Sequence, residues 1–348
     1  MVLAQVAPVE ASEAETGWPF VSIIVPTYNR ATVLPYLMNA LGRQAYPSDR
    51  MELIVVDNSS SDNTEDVVLG WGSVLPFDVH FYRKENQGPA VSRNYGAARA
   101  AGEILAFTDS DCVPHPTWIR SSVSAIAEGA GLVCGPVLPQ ARAGGPGLLA
   151  SQLSPSTRDD GLYPTANLVL RKKPFDAVGG FNQRFGLYPW GDIVAGEDAD
   201  LAWRLRRFGE RPSFVVDAAV DHLATRLTRL QLLLRPIRVQ ILPHLVRSIP
   251  ELRATYLWKR YFVARSRTYF YLGLLGIAIA ILRGSWFALV AAIPWLYFNT
   301  VTQGTTRSLA KNGQWFKAGA WLLLVAYFEV LTTTALAISS VRNRRLVL

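Results

Sequence analysis

Apolar positions run along this chain in two different rhythms. From Val21 to about residue 222, short unbroken apolar runs alternate with stretches of helical spacing. Val21–Val25 (VSIIV) and Leu53–Val56 (LIVV) contain almost no polar residue, the pattern of strands buried on both faces. Val79–Tyr82 and Ile104–Phe107 continue the series, and Ala166–Leu170 and Ser213–Val216 resume it later. The spacing predicts helices over about 32–44, 63–70, 89–101 and 198–208. Pro35 fits only in a first helical turn, and Pro89 suits the start of the third helix. Strands alternating with helices imply an α/β domain with a mostly parallel sheet. Ligands then bind at the carboxyl ends of its strands.

Residues 138–164 (LPQARAGGPGLLASQLSPSTRDDGLYP) break the rhythm with Gly, Pro and Ser, and a loop of that length is expected to be functional. Beyond residue 225 the second rhythm begins. Cations are interleaved with Leu, Ile, Val and aromatics over 226–267, which predicts broken amphipathic helices lying in a headgroup layer. The alternative is a helical subdomain with solvated basic faces. Three apolar runs follow: Thr268–Leu282 (15 residues), Gly284–Thr306 (23) and Ala318–Val341 (24, broken only by Glu329). They predict two or three membrane-spanning helices. A carboxylate within a span costs on the order of 2.5–3.5 kcal/mol, so Glu329 is expected to face another helix or a polar pathway. Residues 1–17 have no basic start and no long apolar core, so they are expected to be a mobile tail and not a signal peptide. The expected organisation is a tail (1–19), an α/β domain (20–225), interfacial helices (226–267) and transmembrane helices (268–348).

Charge sharpens that division. The net charge of +8 hides −7 over residues 1–225 and +15 over the last 123 residues. A basic pI alone would point to nucleic acid. Here the cations lie among apolar runs and the α/β half is acidic, so an anionic membrane is the expected partner and nucleic acid is not. With 11% aromatics and 18% charged residues the chain is not disordered. Cys112 and Cys134 are too few for a disulfide scaffold or a cysteine-built zinc site.

The chemistry starts at Asp109-Ser110-Asp111, just after an apolar strand. Two carboxylates at i and i+2 on a strand rim can face one hard cation. Mg²⁺ and Mn²⁺ prefer such oxygen ligands and commonly bridge to substrate phosphates. Taken alone, the pair reads better as a solvated Asp-rich turn that caps the next helix. It belongs, however, to an ordered series. Pro26-Thr27-Tyr28-Asn29-Arg30 ends the first strand and Asp57-Asn58-Ser59-Ser60-Ser61-Asp62-Asn63-Thr64 ends the second. Gly88-Pro89-Ala90-Val91-Ser92-Arg93-Asn94 precedes the Asp109 strand, and Val178-Gly179-Gly180-Phe181 and Gly196-Glu197-Asp198-Ala199-Asp200-Leu201 follow it, with Arg204-Leu205 one turn later. In this order and spacing the series resembles the family-2 glycosyltransferases of the GT-A fold, a Rossmann-like mixed sheet, over about residues 20–222.

The resemblance implies roles. Pro26, Thr27 and Tyr28 match the segment along which a nucleotide lies, Asp57 matches an acid that accepts from the base, and Arg93 matches a cation near base and phosphates. Asp111 matches a direct metal ligand, and Asp109 a contact to the ribose or to a metal-bound water. His222 stands where some relatives place a third ligand. Asp198 matches the general base of inverting members, with Glu197 an acceptor contact or supporting group. Gly180, Phe181, Asn167 and Trp190 are expected on the acceptor side, Trp190 as a stacking face, and loop 138–164 as an acceptor lid. Two departures stand out. The second-strand motif, often Asp-Asp-Gly-Ser, reads Asp57-Asn58-Ser59-Ser60 here, and the Gln-x-x-Arg-Trp of processive synthases is absent. The implied enzyme is a membrane-anchored, Mn²⁺- or Mg²⁺-dependent inverting transferase. It moves a sugar from a nucleoside-diphosphate donor to a lipid-linked or glycan acceptor without processive extension. The expected setting is a bacterial inner membrane with the catalytic domain in the cytoplasm, serving cell-envelope polysaccharide. The alternatives are a non-catalytic nucleotide-sugar-binding scaffold and a nucleotidyltransferase of similar fold.

Overall fold

The computed structural model describes residues 17–85, 87–140, 156–183, 185, 196–223, 228–284, 290–297, 299 and 315–348. The chain divides into two compact units, 1–227 and 228–348.

In the first unit a seven-stranded sheet runs in the order β3-β2-β1-β4-β8-β6-β9. Its strands are β1 (Val21–Thr27), β2 (Met51–Asp57), β3 (Asp78–Arg83), β4 (Ile104–Phe107), β6 (Leu132–Cys134), β8 (Leu168–Arg171) and β9 (Pro212–Phe214). A small second sheet orders β5 (Cys112–Pro114), β10 (Val220–Leu223) and β7 (Val137–Gln140) as β5-β10-β7. β1 and β2 are buried along their whole length, which is why their sequence shows no alternation. They extend to Thr27 and Asp57 because Pro26 and Thr27 stay in parallel register with Val56 and Asp57.

The sheet is mixed because β8 runs antiparallel to both β4 and β6. Val137 exchanges backbone hydrogen bonds with Ser156, at 2.9 and 3.1 Å. Ala166 and Asn167, expected in strand β8, belong to a short 3-10 turn (Thr165–Asn167) at its entry.

Helices α1 (Leu34–Leu41), α2 (Thr64–Gly72) and α4 (Trp118–Ala127) share one core with Val21, Ile23 and Val25 of β1. α3 (Pro89–Ala97) packs against β1 and β2 on the other face. A Cβ on its Gly96 would sit 2.8 Å from Ile24, so glycine permits that approach. α5 (Lys172–Ala177) and α6 (Glu197–Phe208) complete this unit.

The second unit contains α7 (Arg229–Leu234), a 3-10 segment (Arg235–Gln240), α8 (Ile241–Ser248), α9 (Leu252–Thr255), α10 (Arg265–Arg283), α11 (Ile293–Tyr297) and α12 (Trp315–Asn343). Thr228 and Gln231 form a capping box that starts α7. Among the described residues one helix is long and apolar enough to cross a membrane, Phe316–Asn343, with a mean hydropathy of 1.8. It contains the run Ala318–Val341. Thr268–Leu282 lies within α10, which carries Arg265 and Arg267 at one end and Arg283 at the other. Most of Gly284–Thr306 falls outside the described residues. Glu329 meets the Arg267 guanidinium at 3.2 Å, and Arg267 also donates to Thr333 Oγ1 (2.7 Å) and the Tyr271 hydroxyl (3.2 Å).

Candidate active site

The carboxyl rim of β1, β2 and β4 gathers most of the chemistry-bearing residues of the first unit. Its two outer loops are joined by side chains. Asn29 adopts a left-handed φ of 51°, its amide N–H donates to Ser60 Oγ (2.8 Å), and its side-chain carbonyl accepts from the Ser61 N–H (2.8 Å). The N–H groups of Arg30 and Ala31 donate to Thr64 Oγ1 (3.0 Å) and Asp62 Oδ2 (3.1 Å). Ser59 stands where the family motif often has glycine, and its φ is 64°. Its hydroxyl donates to the Lys84 carbonyl at 2.9 Å. Asp57 is buried and accepts from both the N–H and the hydroxyl of Ser60, with Arg83 at 3.8 Å. The carboxylate therefore organises its own turn. Pro26 and Thr27 are buried in β1, Thr27 Oγ1 has no hydrogen-bond partner among the described residues, and Tyr28 is 49% exposed at the rim.

A group of residues that could hold a cation is formed by the turn after β4 and by β10. Antiparallel pairing sets His222 opposite Cys112, next to the metal motif. One ligand atom from each of Asp109, Asp111, Cys112 and His222 lies within 4.8 Å of the others. His222 Nε2 is 3.6 Å from Asp111 Oδ1, and Arg30 Nη2 is 3.3 Å from Asp111 Oδ2. Burial pushes the Asp111 carboxyl above the usual range, with the His222 and Arg30 interactions opposing and the Asp109 charge adding. A divalent cation here would offset the charge that burial disfavours. Two carboxylates and an imidazole suit Mn²⁺ or Mg²⁺. Cys112 fits that donor set poorly, because burial and the charges of Asp109 and Asp111 push its thiol well up and keep it protonated.

α6 begins after Gly196, which has a φ of 90°, with Glu197, Asp198 and Asp200 in its first turn. The Asp198 carboxylate accepts the Ala199 N–H at 2.8 Å. Burial pushes Asp198 up to about 7, the Glu197 charge adding and the Arg93 cation opposing.

Arg93 of α3 joins these two parts of the site. Its Nη2 donates to Asp109 Oδ1 at 2.7 Å and its Nη1 to Glu197 Oε1 at 3.1 Å, and the guanidinium lies 5.7 Å from the Phe181 ring centroid. Burial works against its charge, but the carboxylates of Asp109 and Glu197 more than compensate and raise its pKa. Arg93, expected beside base and phosphates, has both terminal guanidinium nitrogens engaged by the protein, and so ties the Asp109 turn to the start of α6.

Two acceptor-side expectations are corrected. Phe181 is 2% exposed and packs against Phe107 and Phe175, with ring centroids at 5.1 and 5.7 Å, so it presents no face to a sugar. Asn167 is fully buried. Its carbonyl accepts from Trp118 Nε1 (2.9 Å) and its amide donates to the Pro136 (3.2 Å) and Ala218 (2.7 Å) carbonyls, which uses both of its N–H groups. Gly180, with a φ of 65°, forms the turn ahead of Phe181. That turn is held from both sides. Asn94 exchanges two 2.8 Å hydrogen bonds with the Phe181 backbone, and Arg204 donates to the Val178 (2.8 Å) and Gly180 (2.7 Å) carbonyls while bonding Asp200 at 2.8 Å. Trp190 and residues 141–155 of the expected lid lie outside the described residues.

Sequence reasoning assigned no role to Arg30, Asn94 or Cys112. For Arg30 and Asn94 the available signal was their place inside the ordered motifs. For Cys112 it was adjacency to Asp111.

Residues 22–185 match the Glycosyl transferase family 2 description. The chain is 34% identical over 213 residues to Glycosyltransferase AglE of Haloferax volcanii, covering 59% of this chain and 67% of that one. It is 33% identical over 107 residues to Poly(ribitol-phosphate) beta-N-acetylglucosaminyltransferase TarS of Staphylococcus aureus, of whose length it spans 19%. It also spans 27% of Validoxylamine A glucosyltransferase of Streptomyces hygroscopicus, at 32% identity. A similar solved structure is mannosyltransferase PcManGT from Pyrobaculum calidifontis in complex with GDP-Man and Mn²⁺. Its TM-score is 0.55 at 18% identity, covering 95% of this chain and 90% of that one.

Proposed function

On the footing that this chain belongs to glycosyl transferase family 2, with the GT-A fold, we propose that it is a metal-dependent inverting glycosyltransferase. It moves one sugar from a nucleoside-diphosphate donor to a lipid-linked or glycan acceptor near a membrane. One observation carries this reading: buried Arg93 bridges Asp109 of the metal motif and Glu197 beside Asp198. The groups needed to hold a donor diphosphate and to deprotonate an acceptor thereby belong to one electrostatic unit.

In this reading the donor lies along Pro26, Thr27 and Tyr28, with its base toward Asp57. Asp111, His222 and Asp109 hold a divalent cation, which when bound offsets charge on the departing diphosphate. Asp198 accepts the proton of the acceptor hydroxyl as its oxygen bonds to the anomeric carbon and the bond to the diphosphate oxygen breaks. Attack opposite the leaving group inverts the anomeric centre. Arg93 holds Asp109 and Glu197 in place, and Asn94 and Arg204 fix the Val178–Phe181 turn beside α6. The apolar α12 and the cations of the second unit support anchoring at an anionic membrane.

Calorimetry of a nucleoside-diphosphate panel on the detergent-solubilised protein tests the donor site, with and without Mn²⁺, in wild type and Asp111→Asn. The reading expects one nucleotide to bind tightly with Mn²⁺ and that binding to be lost in the variant. Absence of binding throughout, or equal binding in the variant, would remove the donor assignment.

A further inference from the structure

In the second unit, two segments distant in sequence form one cationic face. Arg344–Leu348 turns back after α12 and is tied to the chain just before α10. The Leu348 N–H donates to the Tyr261 carbonyl (2.7 Å), and the Val263 N–H donates to the Leu348 carbonyl (2.8 Å). Arg253 donates through one guanidinium nitrogen to the Arg260 carbonyl (2.9 Å) and through the other to the Leu346 carbonyl (3.1 Å). Val347 is 1% exposed beneath this link, its backbone exchanging hydrogen bonds with the Ser340 hydroxyl. The link holds Lys259, Arg260 and Arg265 in one region with Arg344 and Arg345, and all five side chains are exposed. Lys259, Arg260 and Arg344 occupy left-handed backbone, with φ of 49°, 70° and 51°. Glycine is the usual residue for such turns, yet cations stand there.

Arg267 and Glu329 tie together the two helices that flank this face. Their ion pair joins the third residue of α10 to the middle of α12. Beyond Glu329, α12 packs along Arg235–Gln240 and α8, where Ser339 donates to the Gln240 carbonyl at 2.5 Å. Before Glu329 it exposes Phe316 and Leu323, and α10 exposes Leu275, Ile281 and Leu282. Exposed apolar residues continue along α12 beyond the ion pair, at Val330, Ile338 and Val341, up to the cationic turn at Arg344.

We propose that Lys259, Arg260, Arg265, Arg344 and Arg345 form a single docking face for the anionic headgroups of a phospholipid bilayer. The chain therefore enters the hydrocarbon after Arg265 and returns to the same side by Arg344, an even number of crossings. This inference rests on the membrane reading of the second unit given above. Cations outnumber acids on the side where the chain enters, as the positive-inside tendency requires. Each cation near an anionic surface strengthens association about fivefold.

Two measurements test it. Leu346→Cys and, as a reference in the first unit, Glu128→Cys are probed with a membrane-impermeant maleimide in spheroplasts and in inside-out vesicles of expressing bacteria. The native cysteines are buried and give no background. Both substituted positions should be labelled in the same preparation. Labelling of Leu346→Cys only in the opposite one would overturn the proposal. Purified protein is then mixed with phosphatidylcholine vesicles with and without phosphatidylglycerol. Wild type should favour the anionic vesicles, and Lys259→Gln/Arg260→Gln/Arg344→Gln/Arg345→Gln should reduce that preference by roughly two orders of magnitude or more. Equal association of wild type with both vesicles would refute the cationic face. Association with neither would refute the membrane reading itself.

Discussion

The sharpest prediction concerns the proton that Asp198 accepts in the proposed reaction. Burial first, and then the neighbouring Glu197 charge, raises its carboxyl from 3.8 to about 7. A general base works only when ionised. With a pKa of about 7, roughly a tenth of the carboxyl is ionised at pH 6, half at pH 7 and about nine-tenths at pH 8. kcat/KM should therefore rise about tenfold between pH 6 and pH 8 and level off above. An unperturbed aspartate would give a flat profile over that range. The assay is initial-rate transfer at saturating metal, followed by release of the nucleoside diphosphate. Glu197→Gln removes a charge that raises the pKa, so the rising limb should move toward acid.

The same shift has a consequence for stability with the opposite sign to that of activity. A carboxyl whose folded pKa lies above its unfolded value resists ionisation in the native state. Stability is therefore lost as pH rises from about 4 to about 7 and stays low beyond. Asp198→Asn removes that cost. It should abolish most turnover, by roughly 10²–10⁴-fold, while raising Tm at pH 8 and leaving Tm at pH 4 nearly unchanged. A flat kcat/KM from pH 6 to 8, together with a lower Tm for Asp198→Asn at pH 8, would refute the reasoning.

Arg93→Met strands two carboxylates, and breaking a buried ion pair of this kind costs about 3–5 kcal/mol; urea unfolding checks it, and a loss below about 1 kcal/mol would contradict the tie. Asn167→Ala leaves the buried Trp118 N–H without its acceptor, so it should lose at least about 2 kcal/mol by the same measurement while acceptor KM stays within about twofold of wild type. Cys134 is held at about 12 by burial and nearby carboxylates, and Cys112 is also pushed well up. Ellman's reagent at pH 8 should find no reactive thiol in the native protein and two per chain after denaturation.

The presence of the first four strands and the place of Asp109 and Asp111 after the fourth are legible in sequence, because strands in this sheet read as short apolar runs; the order in which they pair is not. His222 is legible only as a residue after a strand, and antiparallel pairing across β5 and β10 brings it to Asp111. The direction of β8 is not written locally, since four buried apolar residues look alike running either way. It is given by antiparallel pairing with β4 and β6, contacts between distant positions. Phe181 and Asn167 mark a different limit. A motif position records that a residue is needed near the site, and not whether its side chain faces ligand or core. Asn167 is spent on Trp118 and two carbonyls, while Phe181 fills the space under Arg93. Arg93 shows the same limit for charge, because a cation in a motif looks identical whether it waits for a phosphate or is already neutralised.

Arg93 and Asn94 are consecutive on α3, one holding the metal motif and the helix of Asp198, the other the backbone at Phe181. Inserting a single residue ahead of them would turn both side chains by about 100° together and break the two attachments at once. Through this helix the Asp109 side of the rim and the Phe181 turn therefore move together, and the close approach of Gly96 to Ile24 sets the distance of the helix from the sheet. Diversification of sugar and acceptor is left to the loops that α3 does not touch, and chimaeras between relatives should exchange α3 only together with the segments it grips.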